Sequence, residues 1–246
     1  MTTPDWSRHP QTLARLRAVS TATLSTQLFA RGFKTRFMQD VAPLRPGKRM
    51  VGPARTLRYI PMREDLDVLA SLGARSNAQR QVIEAIGPGE VLVIDAMRQR
   101  GAGSLGSILA LRLRERGAAG IVTDGAYRDT PGVADVGIPA YAAGMNANTN
   151  LTIYHPADFD LPIGCGGVMV EPGDAVVGDD EGVIVVPRHL AIEVAEAAAE
   201  QELRESFIYE LVAGGASVFD VYPLNPEAEA AYRAWRARRD GGAGGD

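Results

Sequence analysis

The chain has 246 residues, a formal net charge of −4 and a single cysteine. That length can bury a substantial core, and the modest charge gives no electrostatic bias toward nucleic acid. One cysteine excludes an internal disulfide, and the sequence has neither a signal peptide nor an apolar run of about 18 residues, so we expect a cytoplasmic protein with no membrane contact.

The first predicted element is a helix over residues 12–31, in which apolar side chains recur at helical spacing. The β-branched run at 91–95 predicts a buried strand. Apolar residues and arginines mix over 108–116, which is typical of a helix that stops at Gly117. The apolar run 120–123 predicts another strand, so this region has a strand–loop–helix–strand pattern.

Three short strands are predicted at 168–170, 175–177 and 183–186, and their close spacing is typical of a β-meander. An acidic turn at 179–182 joins the last two strands. It lacks the alternating ligand spacing of a calcium loop, so we predict a solvated turn.

Two helices are predicted in the C-terminal part. Residues 190–212 form a long one, and a second begins at Asn225, where a cap residue, a proline and acidic residues come together. The final glycine-rich stretch is predicted to be disordered. The expected organisation is one domain over 1–222, a C-terminal helix over 223–240 and a tail over 241–246.

The loop that leads into the helix at 108–116 is rich in glycine. Bare N–H groups and the positive end of the dipole make such a helix start an anion site. Gly101-x-Gly103-x-x-Gly106 also satisfies a dinucleotide fingerprint, with Asp124 near the place of the ribose-binding acid, although five residues separate the strand from the first glycine. A tight turn without any ligand is the third interpretation.

A charged pair, Arg128 and Asp129, follows the strand that begins at Gly120. Adjacent opposite charges on a loop are usually solvated and contribute little. Loops at strand ends in α/β proteins also carry binding sites, and a functional role is therefore the competing interpretation.

Eight short segments occur in a characteristic order, and the sequence Thr123-Asp124-Gly125-Ala126-Tyr127-Arg128-Asp129 ends the longest of them. The segments are 24–28, 52–56, 106–110, 117–129, 137–141, 164–168, 172–174 and 178–183. In this ordered set the chain resembles the regulator-of-ribonuclease-activity-A-like family, which includes the 4-hydroxy-4-methyl-2-oxoglutarate/4-carboxy-4-hydroxy-2-oxoadipate aldolases. The resemblance spans roughly residues 12–210.

The resemblance implies an α/β (α+β) fold, a three-layer β/β/α sandwich of the swivelling-domain type, assembled as a trimer or hexamer with sites between subunits. It implies Mg²⁺ or Mn²⁺ held by Asp129, mostly through waters. It also implies that Arg128 and the segment Gly106, Ser107, Ile108 and Leu109 hold the pyruvyl group of a 2-oxo acid.

The chain departs from the family pattern at several positions. The aldolases usually carry Glu or Asp after the glycine of the substrate-binding segment, where this chain has Ser107, and the family's Ser-Asp pair near the start becomes Ser25-Thr26. The aldolases also use a glutamate from a neighbouring subunit's C-terminal helix. Glu205 is the best match for it, and Glu202 is the rival.

The side chains that the sequence offers favour a metal ion over a Schiff-base lysine as the group that stabilises the reaction intermediate. Cleavage or decarboxylation of a 2-oxo acid leaves a pyruvate enolate, which a Schiff base or a metal can stabilise. The only lysines, Lys34 and Lys48, lie in polar connections, and the three histidines have no ligand spacing. A hard cation on a carboxylate, with Arg128 as a planar fork for a substrate carboxylate, agrees with this inventory.

The sequence thus predicts a divalent-metal-dependent lyase that releases pyruvate by retro-aldol cleavage or decarboxylation, with oxaloacetate decarboxylation as a side activity. The alternative is a protein-binding regulator of an endoribonuclease, which some relatives are. The dinucleotide-binding interpretation is the third.

Overall fold

The computed structural model describes residues 5–242. Its strands are β1 (Ala42–Pro43), β2 (Met50–Pro61), β3 (Val91–Asp95), β4 (Gly103–Leu105), β5 (Gly120–Tyr127), β6 (Ala140–Met145), β7 (Tyr154–Phe159), β8 (Ile163–Cys165), β9 (Val168–Val170), β10 (Ala175–Gly178) and β11 (Val183–Val186). Its α-helices are α1 (Pro10–Ala18), α2 (Thr21–Ala30), α3 (Ala78–Ala85), α4 (Ser107–Glu115), α5 (Thr130–Val136), α6 (Ala191–Ala213), α7 (Val218–Val221) and α8 (Pro226–Gly242).

The described chain divides into two compact units, residues 5–196 and 197–242. The larger unit is built on one mixed sheet in the order β1-β6-β5-β3-β2-β10-β11, with β4 added beside β5 and β7 beside β2. Strands β2, β3, β5 and β6 run parallel to one another. The carboxyl ends of these strands therefore meet at one edge, where loops can combine into a site.

Helices cover one face of this sheet and a second sheet covers the other. Along β3, Leu92 and Ile94 join a core cluster that includes residues of α3, α4 and α5. The alternate residues Val91 and Val93 join a cluster that includes the separate β8–β9 pair. The two-residue period of a strand thus sorts its side chains between two layers. The predicted mixed α/β class and the β/β/α layering are confirmed.

The predicted helix over 12–31 is wrong in one respect, because it is two helices. Val19 is extended, and the Ser20 side chain accepts a hydrogen bond from the Thr23 N–H as the N-cap of α2. The Asp179 carboxylate accepts bonds from the Thr21 N–H at 2.8 Å and the Thr21 hydroxyl at 2.9 Å. The acidic turn is therefore not simply solvated, since Asp179 is 9% exposed and anchors the start of α2.

The predicted β-meander is also wrong. Strand β9 pairs with β8 in the small sheet, whereas β10 and β11 form a hairpin at the edge of the large one. The turn between β9 and β10 redirects the chain because Asp174 accepts backbone hydrogen bonds from Glu171 and Arg188.

The C-terminal unit is a packed pair of helices. Phe207 of α6 contacts Tyr232 and Trp235 of α8 at ring-centroid distances of 5.7 and 5.5 Å. Helix α8 extends to Gly242, and the rest of the predicted tail, residues 243–246, lies outside the described part of the chain. Of the helices within residues 5–242, none combines the length and the apolar character that a bilayer span requires.

Candidate active site

A cleft of about 330 Å³ lies where β4 and β5 end and α4 begins. Five of the residues that the family resemblance assigns to the site line it: Gly106, Ile108, Leu109, Arg128 and Asp129. The others come from several parts of the larger unit: Leu72, Gln79, Arg80, Gly103, Ser104, Leu105, Thr149 and Asn150.

Arg128 and Asp129 keep most of their bonding capacity for a ligand. The Arg128 N–H completes the β4–β5 pairing by donating to the Leu105 carbonyl at 3.0 Å. Its guanidinium Nε lies 3.7 Å from Asp129 Oδ1 and, among the described residues, finds no hydrogen-bond partner. Their side chains are 39% and 50% exposed. A buried unpaired donor in a cleft suggests that a ligand atom completes it.

Asp129 stands at the N-cap of α5 in a left-handed conformation, with a φ of 52°. Its carboxylate accepts no capping hydrogen bond from that helix. Aspartate at an N-cap normally accepts such a bond, and aspartate is one of the few residues that adopts this conformation readily. The backbone therefore turns this carboxylate away from its usual structural role and leaves it in the cleft.

Two glycines allow the charged pair to lie directly on the loop. A Cβ atom at position 103 would lie 2.6 Å from Arg128 Cβ. One at position 106 would lie 2.8 Å from Asp129 Oδ2 and 3.0 Å from Arg128 Cγ. Both glycines are thus needed for close approach, which is a more specific reason than the tight turn considered from the sequence.

The start of α4 supplies free amides. Gly106 is the N-cap and has no side chain to accept a bond, and the first intrahelical bond runs from the Ala110 N–H to the Gly106 carbonyl at 3.0 Å. The N–H groups of Ser107, Ile108 and Leu109 therefore have no partner within the helix. Because Ile108 and Leu109 line the cleft, this helix start and Arg128 together provide donors for an anion.

Strand β4 is held in place from behind by buried polar groups. The Ser104 carbonyl accepts hydrogen bonds from the Gln79 side-chain amide at 2.8 Å and the Tyr59 hydroxyl at 2.9 Å. Burial raises the pKa of Tyr59, so its hydroxyl remains a donor. Gln79 was not singled out from the sequence, although a glutamine on the apolar face of a short helix is a detectable signal.

The structure does not place the Ser107 side chain in the cleft lining. That side chain lies against α5, where a Cβ atom added to Gly132 would be 2.9 Å from Ser107 Cβ. A contribution of position 107 to the site therefore stays a prediction, and it would come from the backbone N–H.

The dinucleotide interpretation is wrong. Asp124, the proposed ribose-binding acid, is 3% exposed, and its carboxylate accepts hydrogen bonds from the Ala96 N–H at 2.8 Å and the Gly166 N–H at 3.1 Å. Gly103 lies in strand β4 rather than in a turn from β3 to the helix. Cys165, the single cysteine of the chain, is fully buried, and burial raises the pKa of its thiol.

Glu205 and Glu202 both lie on α6, in the C-terminal unit. The Glu205 carboxylate accepts a hydrogen bond from the Gln201 amide at 2.8 Å. The role of either residue at a neighbouring subunit's cleft stays a prediction.

The donor set fits a divalent cation that keeps most of its water shell. Asp129 is the one carboxylate among the described lining residues, and no group of three or more His, Cys, Asp or Glu side chains within residues 5–242 is arranged to hold a metal. A single carboxylate with waters and substrate oxygens is a mode that Mg²⁺ favours, whereas zinc would need more protein ligands.

Comparisons with known proteins show the family of this chain. The family model described as "RraA-like: Aldolase/RraA" matches residues 21–185. A Halalkalibacterium halodurans protein named "Putative 4-hydroxy-4-methyl-2-oxoglutarate aldolase" is 30% identical over 202 residues, which cover 80% of this chain and 88% of that protein.

Two other relatives extend the comparison. Legionella pneumophila "Protein DlpA" is 26% identical over 85% of this chain, which matches only 33% of that longer protein. The crystal structure of Streptomyces coelicolor RraAS2, described as an unusual member of the RNase ES inhibitor RraA protein family, is 35% identical with a TM-score of 0.74, covering 80% of this chain and 96% of that one. By sequence and by fold, this chain belongs to the RraA-like aldolase/RraA family.

Proposed function

We propose that the protein is a divalent-metal-dependent carbon–carbon lyase that converts a 2-oxo acid to pyruvate. The observation that carries the proposal is the cleft itself, where Arg128 with an unpaired Nε and Asp129 with an uncapped carboxylate lie over the free amides of α4. A protein-binding surface has no need of this combination, whereas an enolate-forming reaction needs fixed positive charge beside a small anion site.

The residues of the cleft can be assigned separate tasks. The Arg128 fork matches a substrate carboxylate, and the N–H groups of Ser107, Ile108 and Leu109 can donate to the same end of the molecule. Asp129 would hold the metal through one carboxylate oxygen and waters. When bound, a divalent cation supplies positive charge that draws electron density from the 2-oxo group.

Decarboxylation of oxaloacetate places the smaller demand on the protein. The bond between C3 and C4 breaks, C4 leaves as CO₂, its electron pair enters the pyruvate enolate, and water returns a proton to C3. No base is required, so Arg128, the N–H groups at the start of α4 and a metal held by Asp129 would be sufficient for this side activity.

Retro-aldol cleavage needs a base in addition. The proton of the 4-hydroxyl must leave as the bond between C3 and C4 breaks, C4 becomes a carbonyl, and the electron pair enters the pyruvate enolate, which then takes a proton at C3. Asp129 would be occupied by the metal and could not accept the hydroxyl proton. We therefore propose that Glu205, from a neighbouring subunit of a trimer or hexamer, receives this proton, with Glu202 as the rival.

The test is a screen of 4-hydroxy-2-oxo acids and oxaloacetate with Mg²⁺ or Mn²⁺, with released pyruvate as the readout and EDTA-treated protein as the control. Glu205→Gln should lower aldol cleavage about 10²-fold and leave decarboxylation within about threefold, because only cleavage needs the base. Glu202→Gln is the matched control. Light scattering of the active protein should give a trimer or hexamer, and a fully active monomer would contradict the assignment of Glu205.

A regulator of an endoribonuclease is the second candidate, favoured by the likeness to RraAS2 and its inhibitor family. The same screen separates the two. Metal-dependent turnover supports the lyase, and equal turnover after EDTA treatment would overturn its metal dependence. The absence of turnover on every pyruvyl acid would overturn the lyase and favour the regulator.

A further inference from the structure

A second cavity, of about 250 Å³, shares no lining residue with the active-site cleft. It lies between α2, the segment that follows this helix, and the glycines after β8. Its wall combines aromatic and cationic side chains: Phe29, Phe33, Phe37, Lys34, Arg36 and Arg98. We call it the phenyl cavity.

The charge of the phenyl cavity is positive and poorly balanced. Among its described lining residues none is acidic, and neither Lys34 nor Arg98 forms an ion pair within residues 5–242. Arg36 is already paired, since its guanidinium lies 3.6 Å from Asp174 Oδ2 and its Nε donates to the Val185 carbonyl at 3.0 Å. An anion in the cavity would compensate the charges of Lys34 and Arg98.

The backbone is shaped to hold Arg98 at this wall. Arg98 has a φ of 54° and Gly167 a φ of 80°, both left-handed. A Cβ atom at position 167 would lie 2.2 Å from Arg98 Nη2, so a side chain there would push the guanidinium away from its present position. Arginine seldom adopts a left-handed conformation, and such strain occurs preferentially at binding sites.

The phenyl rings that line the cavity indicate that the anion carries an aromatic group. Phe29 is 65% exposed although it lines the cavity, and Phe33 and Phe37 are partly buried beside it. Flat apolar walls suit an aromatic ring, which stacks or meets their edges at short distances. The volume is below the range of drug-sized ligand sites, which limits the occupant to a small molecule.

We propose that the phenyl cavity is a binding site for a small aromatic carboxylate, whose ring packs on Phe29 and Phe33 and whose charge is taken by Lys34 and Arg98. This site is separate from the one that holds the substrate of the lyase.

Calorimetric titration of the intact protein with benzoate tests the proposal, with cyclohexanecarboxylate, acetate and benzamide as matched probes. We expect benzoate to bind with a Kd of about 1 mM or below, cyclohexanecarboxylate more weakly, and the other two not measurably. Lys34→Gln should weaken benzoate binding about fivefold and Arg98→Gln by about tenfold, the range for partly exposed charge pairs.

Two control variants test whether benzoate binds in the phenyl cavity or elsewhere. Lys48→Gln changes the other lysine of the chain and should leave the benzoate Kd within about twofold, and Arg128→Lys should do the same because it alters only the lyase cleft. Acetate binding as tightly as benzoate, an unchanged Kd in both Lys34→Gln and Arg98→Gln, a loss of binding in Arg128→Lys, or no heat with benzoate at about 20 mM would each overturn the proposal.

Discussion

Two aspartates near the end of the same strand have opposite surroundings. Asp124 is buried in β5, and both of its carboxylate oxygens accept backbone N–H groups from other loops. Asp129 follows the strand, half-exposed and without a capping bond. The first has used its bonding capacity to hold loops together, and the second has kept it. Both residues are aspartates, so only the hydrogen bonds that their carboxylates accept distinguish the structural acid from the candidate metal ligand.

Replacing Asp129 should have the largest effect on turnover. Asp129→Asn keeps the shape and tolerates the left-handed backbone, but it removes the charge that would hold the metal. We expect turnover of oxaloacetate to fall by about 10³-fold or more, and its dependence on Mg²⁺ to disappear. Asp129→Ala should lose activity in the same way.

Steady-state pyruvate release against metal concentration is the measurement for both variants. Thermal unfolding is the control, since Asp129→Asn should change stability little. A variant that retains wild-type turnover with Mg²⁺ would remove Asp129 from the metal site.

Replacing Arg128 should have the next largest effect. Arg128→Lys keeps a positive charge but loses the planar fork, so turnover should fall about 10²–10³-fold, the scale for one preorganised electrostatic contact. The measurement is kcat/KM for oxaloacetate, with folding checked by circular dichroism. A loss below about threefold would mean that charge alone is sufficient at this position.

Replacing Asp124 tests whether the buried aspartate has only a structural role. Asp124→Ala leaves the N–H groups of Ala96 and Gly166 without acceptors, which should lower the free energy of unfolding by about 2 kcal/mol. Activity per folded molecule should stay close to wild type because Asp124 does not line the cleft. Chemical denaturation with activity measured in parallel tests this, and a large loss of activity in a stable variant would give Asp124 a catalytic role.

Ser107→Asp should have the smallest effect on stability and substrate binding. The new carboxylate would stand at the first residue of α4 and face α5, where helix dipoles favour it by about 0.5 kcal/mol. We expect pyruvate affinity within about threefold of wild type, because the segment binds through its backbone. The rate of aldol cleavage should change only if an acid at this position relays a proton, since the side chain faces α5. Identical cleavage rates in the two proteins would exclude a proton-relay role for this position.

The part of the site that is formed by residues close together in the sequence could be predicted from the sequence. Gly106, Arg128 and Asp129 were identified because a glycine-rich helix start and a charged pair after a strand are each visible in a few consecutive residues. Arg80 and Asn150 were missed because they reach the cleft only when distant segments fold together. The break before Thr21 was missed for the same reason, since the carboxylate that fixes it belongs to Asp179.

The glycines at 103 and 106 also limit how this cleft could be redesigned. Any larger side chain there would displace Arg128 or Asp129, so this wall offers no position for altering substrate preference. Leu72, Arg80 and Asn150 line the same cleft and lie outside this loop. A library aimed at new 2-oxo acids should therefore vary these three positions and leave the loop untouched.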